Sequence, residues 1–247
     1  MSCKHTPLRL DRALGDLGIA TRSRLKEMVR RGLVSVDGVV VQDPGQKLCP
    51  LCSEIRVEGQ PVRYRPYLYL MLNKPQGVVS ATEDRRERTV LDLLPEGYRH
   101  LGLFPVGRLD KDTTGLLLLT NDGPLGHALT SPRRHRDKVY LARVEGALGE
   151  ADREALRRGI LLRDGLLTRP AELEILEPDL GRVVLREGKY HQVRRMLAAL
   201  GHPVLALRRV EMAGLSLDEK LAEGRWRPLT DPEVSILRGD NPEPAER

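Results

Sequence analysis

The sequence predicts an α+β chain: a mixed, mostly antiparallel sheet domain preceded by a small α/β module. Three observations point there. Short apolar runs, rich in Val, Leu and Ile and closed by Gly, Pro, Asn or Asp, recur from Leu68 onward, as strands and turns do. Few stretches of helical spacing interrupt them. The N-terminal portion instead opens with two helical stretches and then an alternating run that turns at Asp37-Gly38, a strong hairpin signal.

Taken in order, Leu10, Ala13, Leu14 and Leu17 recur at helical spacing and Gly18 stops them. Thr21 caps a second helix that turns Leu25, Met28 and Val29 inward and ends at Gly32. Val34-Ser-Val then enters the hairpin, and Ile55-Arg-Val resumes the extended pattern. Residues 60–67 carry two prolines and break the periodicity, so 61–67 is expected to be a linker between a module at 1–60 and a domain at 68–238. Within that domain the expected strands are 68–72, 78–80, 116–120, 139–144, 173–175, 182–185 and 204–209. The expected helices are 90–94, 125–129, 152–158 and 191–200. The tail, 239–247, has two prolines and four charged residues and is expected to be disordered.

Composition narrows the class. A chain of 247 residues with 40% hydrophobic content can build a sizeable core, as one large domain or two smaller ones. The 31% of charged residues argues against a membrane protein, and no apolar run approaches the roughly 20 residues of a bilayer-spanning helix. The first residues show no apolar leader, so a cytoplasmic location is expected. The net charge of +6 favours a polyanionic partner. Only 3% of residues are aromatic, which disfavours a single-strand binder built on stacking platforms and suits recognition by shape and phosphate. Three cysteines give no disulfide framework. Cys49 and Cys52 have the spacing of half a zinc site, which Cys3 and His5 complete only if the N-terminus folds back; unliganded thiols are the expectation.

Chemistry concentrates in residues 107–123, GRLDKDTTGLLLLTNDG. Asp110 sits on a tight loop that feeds a buried strand, the kind of place where a rigid scaffold presents a reactive group. Three more segments accompany it: Asn73-Lys74-Pro75-Gln76-Gly77, Lys138-Val139-Tyr140, and Gly188-Lys-Tyr-His-Gln-Val-Arg-Arg-Met196. In this order and with these residues the set resembles the pseudouridine synthases, in the branch that modifies small-subunit ribosomal RNA. The helix pair and hairpin, with Leu10-Asp-Arg-Ala-Leu, Thr21-Arg-Ser-Arg-Leu and Gly32-Leu-Val-Ser-Val-Asp-Gly, resemble the S4 RNA-binding module.

The resemblance implies an isomerase that breaks the N1–C1′ bond of a uridine, turns the uracil and rejoins it through C5, with no cofactor or metal. It implies that Asp110 is the catalytic carboxylate, that Arg194 keeps it ionised, and that Tyr140 stacks on the uracil. Arg108 is expected to fill the gap left by the extruded base. His191 and Gln192 are expected to hold RNA backbone or a base edge, and Lys74 to touch phosphate. Thr113, Thr114 and Gly115 are expected to aim Asp110, the hydroxyls by bonding the loop backbone, and Asp112 to cap the loop. Arg9, Arg12, Arg22, Arg24, Lys26, Arg30 and Arg31 of the module are expected to meet phosphates. The expected partner is 16S ribosomal RNA in a small-subunit assembly intermediate, met by a monomer. A 23S target, a catalytically inactive assembly factor and a DNA-binding regulator reading through residues 22–31 are the alternatives; the last leaves the later motifs unexplained.

Overall fold

A computed structural model describes residues 7–64, 67–131 and 136–240. The chain divides into two compact units, Met1–Leu68 with Leu94–Leu103, and Tyr69–Leu93 with Phe104–Arg247.

The first unit opens with β1 (Leu8–Arg9), α1 (Leu10–Asp16) and α2 (Arg22–Arg30), followed by β2 (Val34–Val36), β3 (Val39–Val40), β4 (Lys47–Leu48), β5 (Ile55–Val57) and β6 (Gln60–Val62). The apolar residues that the helical and alternating patterns single out meet in one core: Leu10 and Leu14 of α1, Leu25, Met28 and Val29 of α2, and Val34, Val36, Ile55 and Val57 of the sheet. Thr21 caps α2, its Oγ1 accepting from the Arg24 amide at 3.4 Å. Asp37 and Gly38 both take positive φ, 50° and 81°, which gives the two-residue turn the backbone twist a hairpin needs. The same conformation recurs at Glu58 and Gly59, with φ of 50° and 78°.

That second turn corrects the expected linker. Residues 60–62 are not a connection but β6, paired antiparallel with β5, with Pro61 opposite Arg56. The sheet order is β3-β2-β5-β6, so β6 is an edge strand and its proline needs no ladder partner. Leu94–Leu103 also belongs to this unit, with Tyr98 and Leu101 lying against Gly18. The tail beyond Asp240 lies outside the described residues.

The second unit is built on a nine-stranded mixed sheet. Its elements are β7 (Tyr69–Lys74), β8 (Phe104–Pro105), β9 (Thr114–Thr120), α3 (Gly123–Thr130), β10 (Lys138–Val144), α4 (Glu150–Arg158), β11 (Glu172–Glu177), β12 (Leu180–Leu185), α5 (Gln192–Ala199), β13 (Val204–Met212), β14 (Leu215–Ser216), β15 (Trp226–Pro228) and α6 (Asp231–Arg238). The order is β11-β12-β10-β13-β9-β7-β15, with β14 on β13 and β8 on β9. Every pairing is antiparallel except β13 with β9, so the sheet is mixed and mostly antiparallel, and the fold is α+β.

Three expectations need revision. Residues 78–80 form a single bridge, Val79 to Thr89, rather than a strand, and the Ser80 side chain is bonded to residue 109. Residues 90–93 form a 3₁₀ turn rather than an α-helix. The C-terminal helix α6 was not expected, although Thr230 and Glu233 cap each other reciprocally at its start. Arg227 grips Glu233 at 2.7 Å and holds its carboxyl down to about 2.

The two faces of the sheet differ. Tyr69, Met71, Leu116 and Leu118 face an apolar core with Leu129 of α3 and Val234 and Leu237 of α6. On the other face one register row runs across six strands, from Leu173 through Val183, Tyr140, Arg209 and Gly115 to Lys74. Row partners project their side chains to one side of a sheet, so Tyr140, Arg209 and Lys74 share a face.

Candidate active site

The loop between β8 and β9 carries Asp110, and buried side chains hold it from beneath. Leu109 is buried, and Ser80 Oγ both accepts from its amide (3.0 Å) and donates to its carbonyl (2.8 Å). Lys74 has no exposed surface, and its ammonium donates to the carbonyls of Asp110 (3.0 Å), Thr113 (3.0 Å), Pro75 (3.0 Å) and Lys111 (3.3 Å). The Gly77 amide adds a bond to the Lys111 carbonyl at 2.9 Å. At the loop's end Gly115 takes φ +100°, and an added Cβ would run into the Arg209 carbonyl on the neighbouring strand. The backbone of Asp110 is therefore fixed from several directions, while its side chain keeps 30% of its surface exposed.

Lys74 is thus not a phosphate ligand. A lysine buried this deeply, with its three protons shared among four carbonyls, has nothing to offer solvent-borne RNA. Burial pushes it down to about 8, against the pull of Asp112, Asp110 and Glu223 toward the charged form.

The expected partnership of Arg194 with Asp110 is also revised. Arg194 pairs with Asp112, Nη2 to Oδ2 at 2.9 Å, and donates to the carbonyls of Val204 (3.0 Å) and Asp112 (3.4 Å). It clamps the far side of the loop, two residues beyond the expected contact. Asp112 is its anchor rather than a simple turn cap. The group that faces Asp110 is His191, whose Nε2 lies 3.4 Å from Oδ1. His191 reaches it from an unusual backbone, φ 47° and ψ 36° in the left-handed region, immediately before α5. The Tyr190 ring stacks on the imidazole at 4.0 Å between centroids and stands largely in solvent.

Gln192 does not reach outward. It is buried, its Oε1 accepts from the Lys189 amide at 2.9 Å and its Nε2 donates to Glu187. It fixes the turn that positions His191. Arg108 is exposed beside the loop. Tyr140 is mostly buried and lies in the row with Arg209 and Gly115. Thr113 is buried too, but its hydroxyl has no partner among the described residues, contrary to the expected bond to the loop backbone.

Residue-by-residue reading missed Ser80, Glu187 and Arg209. Arg209 is 1% exposed, and its Nε donates to the Leu116 carbonyl at 2.8 Å while Nη2 has no partner among the described residues. Its signal was faint, since Arg209 stands beside Arg208 and near Glu211 in a strand-like run and nothing in the sequence singles it out. A cavity of about 510 Å³ lies away from Asp110, on the opposite side of β12 from the Tyr140 row. Its arginines are already matched, Arg182 to Glu174 at 3.5 Å and Arg186 to Asp137 at 2.9 Å, so it presents little net charge to an anion.

On the first unit Arg9, Arg12, Arg22, Arg24, Lys26, Arg30 and Arg31 are all exposed. Four of them pair with acids of α1 and α2: Arg9 with Asp11 (2.7 Å), Arg24 with Glu27 (3.2 Å), and Arg12 with Asp16 and Arg31 with Glu27 (both 3.8 Å).

Comparison with known proteins bears on both units. The family model for RNA pseudouridylate synthase matches residues 68–199, and that for the S4 domain matches residues 8–50. The chain is 44% identical over 234 residues to the RNA pseudouridine synthase YtzG of Bacillus subtilis (strain 168), covering 93% of this chain and 98% of that one. It is 40% identical over 233 residues to ribosomal small subunit pseudouridine synthase A of Escherichia coli (strain K12), covering 93% and 100%. A solved structure described as a pseudouridylate synthase superposes with a TM-score of 0.67 at 38% identity, covering 93% of this chain and 99% of that one.

Proposed function

The chain belongs to the RNA pseudouridylate synthase family, an isomerase acting on RNA with an S4 domain before its catalytic region, and from that premise we propose that it converts one uridine of 16S ribosomal RNA to pseudouridine through Asp110. The observation that carries the assignment is the loop itself: a partly exposed carboxylate on a backbone fixed by the buried Lys74 and Ser80. A group that must meet one atom of its substrate needs such aiming, because small displacements are costly in rate.

In the proposed reaction the target nucleotide leaves its stack, since C1′ and the uracil faces are otherwise covered. Arg108, exposed beside the loop, fills the space it vacates. The Asp110 carboxylate acts at C1′ as the N1–C1′ bond breaks. The uracil turns while Tyr140 bounds it, C5 bonds to C1′, the C5 proton departs and N1 gains one. No atoms are gained or lost. Arg194 keeps the far side of the loop in place through Asp112, and the His191 imidazole stands 3.4 Å from the carboxylate. The exposed cations of the first unit contact phosphates, which position the RNA without reading its sequence. The protein acts as a cytoplasmic monomer on an assembly intermediate of the small subunit.

Chemical mapping of pseudouridine in 16S and 23S ribosomal RNA, with and without the protein, tests the target. One new site in 16S RNA, formed more efficiently in an assembly particle than in naked RNA, is expected. A site confined to 23S RNA overturns the target. No site in either, with RNA binding intact, favours an inactive assembly factor.

A further inference from the structure

Tyr190 stands apart from the other aromatic side chains. It is 75% exposed, while Tyr67 is at 38% and the other four tyrosines are more covered still. A lone exposed ring is ordinary on a protein surface. This one is held in place, and it is held beside the reactive carboxylate.

One face of the ring lies on the His191 imidazole, with centroids 4.0 Å apart and planes 14° from parallel. The imidazole is fixed in turn. His191 takes left-handed backbone, φ 47° and ψ 36°, which a residue other than glycine keeps only where its surroundings impose it. Those surroundings are specific. The buried Gln192 ties the Lys189 amide (2.9 Å) to Glu187, and Glu187 also accepts from the Arg169 amide at 2.9 Å. From α5, Arg195 reaches back to the Tyr190 carbonyl at 3.4 Å while its guanidinium is paired with Asp164. The edge of the imidazole meets the Asp110 carboxylate, Nε2 to Oδ1 at 3.4 Å, and its face carries the tyrosine. The Tyr190 ring therefore stands next to the reacting position rather than in it. Lys189, exposed and without an ion pair among the described residues, adjoins it in the chain.

We propose that Tyr190, backed by His191, is a stacking shelf for the base of the nucleotide next to the target uridine, with Lys189 on that nucleotide's phosphate. The inference rests on the reading of Asp110 as the group that meets the target sugar. Drawing one nucleotide out of a stack displaces the backbone on either side of it, and a neighbour so displaced loses its own stacking. A flat aromatic face restores that contact, and it serves any base, because every base has a π-face. A rigid shelf is better suited to this than a mobile side chain, since less freedom is lost when the base settles on it. Tyr190 is thus a binding residue that fixes the RNA beside the carboxylate and takes no part in the bond exchange.

The test compares the full-length wild type with Tyr190→Ala and Tyr190→Phe, first by affinity for 16S ribosomal RNA and by single-turnover conversion. Tyr190→Ala is expected to weaken affinity roughly tenfold to a hundredfold with conversion at saturating RNA within about threefold of wild type, and Tyr190→Phe to restore affinity to within about twofold. The second arm uses an oligoribonucleotide around the mapped uridine, with an abasic residue on one flank or the other. On one flank the missing base is expected to cost the wild type about tenfold in affinity and to cost Tyr190→Ala nothing further, because both changes remove the same contact. Unchanged affinity of Tyr190→Ala overturns the shelf. So do additive losses on both flanks, or a fall in the saturating rate alone, which would mark the ring as a prop for His191. A loss in Tyr190→Phe equal to that in Tyr190→Ala assigns the contact to the hydroxyl and overturns stacking. The underlying reading fails in a different way: a wild type that binds RNA and forms no pseudouridine ends the role of Asp110, while the affinity comparison, which needs no turnover, still decides the shelf.

Discussion

Two buried polar side chains, Lys74 and Ser80, bond the backbone of the Asp110 loop, whereas arginines on the helix pair of the first unit pair with acids at the surface. Lys74, Ser80 and Arg194 each bond to the loop backbone or to Asp112, and the first two are buried. Arg12, Arg24 and Arg31 meet neighbouring acids with both partners in water, where such pairs contribute about 0–1 kcal/mol and exchange freely. The difference matches two tasks. Bond exchange at one carbon demands fixed geometry. Contact with a phosphate backbone demands charge that can trade an intramolecular partner for an external one.

The comparison can be broken at its rigid end first. Gly115→Ala forces a Cβ into the Arg209 carbonyl at a φ of +100° and is expected to lower stability by about 3 kcal/mol or more, read by chemical denaturation. A loss below about 1 kcal/mol would mean that the β9–β13 junction yields. Lys74→Met leaves the loop carbonyls without their buried donor. It is expected to reduce kcat roughly 100-fold with RNA affinity nearly unchanged. Equal losses in binding and turnover would restore Lys74 as an RNA ligand.

Lys74 also sets a pH test. With the folded lysine near 8 and the unfolded one at 10.5, the unfolded chain holds more protons between those values. This group's contribution to stability therefore rises with pH across that window, having been unfavourable below it. The ammonium that grips the loop is lost over the same range. Turnover is expected to decline above pH 8 while the lysine's penalty on folding is relieved; activity that is flat to pH 9.5 would separate the grip from the charge. Glu233 shifts the other way: its stabilisation is present above 4.5 and lost as pH falls toward about 2, so Glu233→Gln is expected to remove part of the acid sensitivity of unfolding.

The smallest effects are expected at the surface. Arg22→Ala, Lys26→Ala and Arg30→Ala should each weaken RNA binding a few-fold and lower the slope of log K against log salt by about one, with kcat unchanged. A change in kcat without a change in slope would place that residue in the reaction.

Much of this was legible in the chain. The apolar run 116–119 and its Asn-Asp-Gly stop placed β9, the pairing of Asp37 with Gly38 placed a hairpin, and the order of four motifs placed the family. Contacts across the sheet were not legible. Lys74 looked like any basic residue beside a turn, because nothing in its neighbours tells that β7 lies next to β9 and turns its ammonium under the loop. Arg194 was placed one contact short for the same reason: a helical position fixes the face but not which of Asp110 and Asp112 it meets. The left-handed backbone of His191 carries no glycine to announce it. By contrast, α6 was legible and overlooked, since Thr230 and Glu233 stand at capping-box spacing.

The most direct measurement is pseudouridine formation by Asp110→Asn on 16S RNA, under single-turnover conditions, beside its RNA affinity and salt slope. The neutral amide keeps the shape of the carboxylate, so affinity and slope should match the wild type while conversion falls at least roughly 1,000-fold, the scale of losing a catalytic nucleophile. Conversion at the wild-type rate would remove Asp110 from the chemistry.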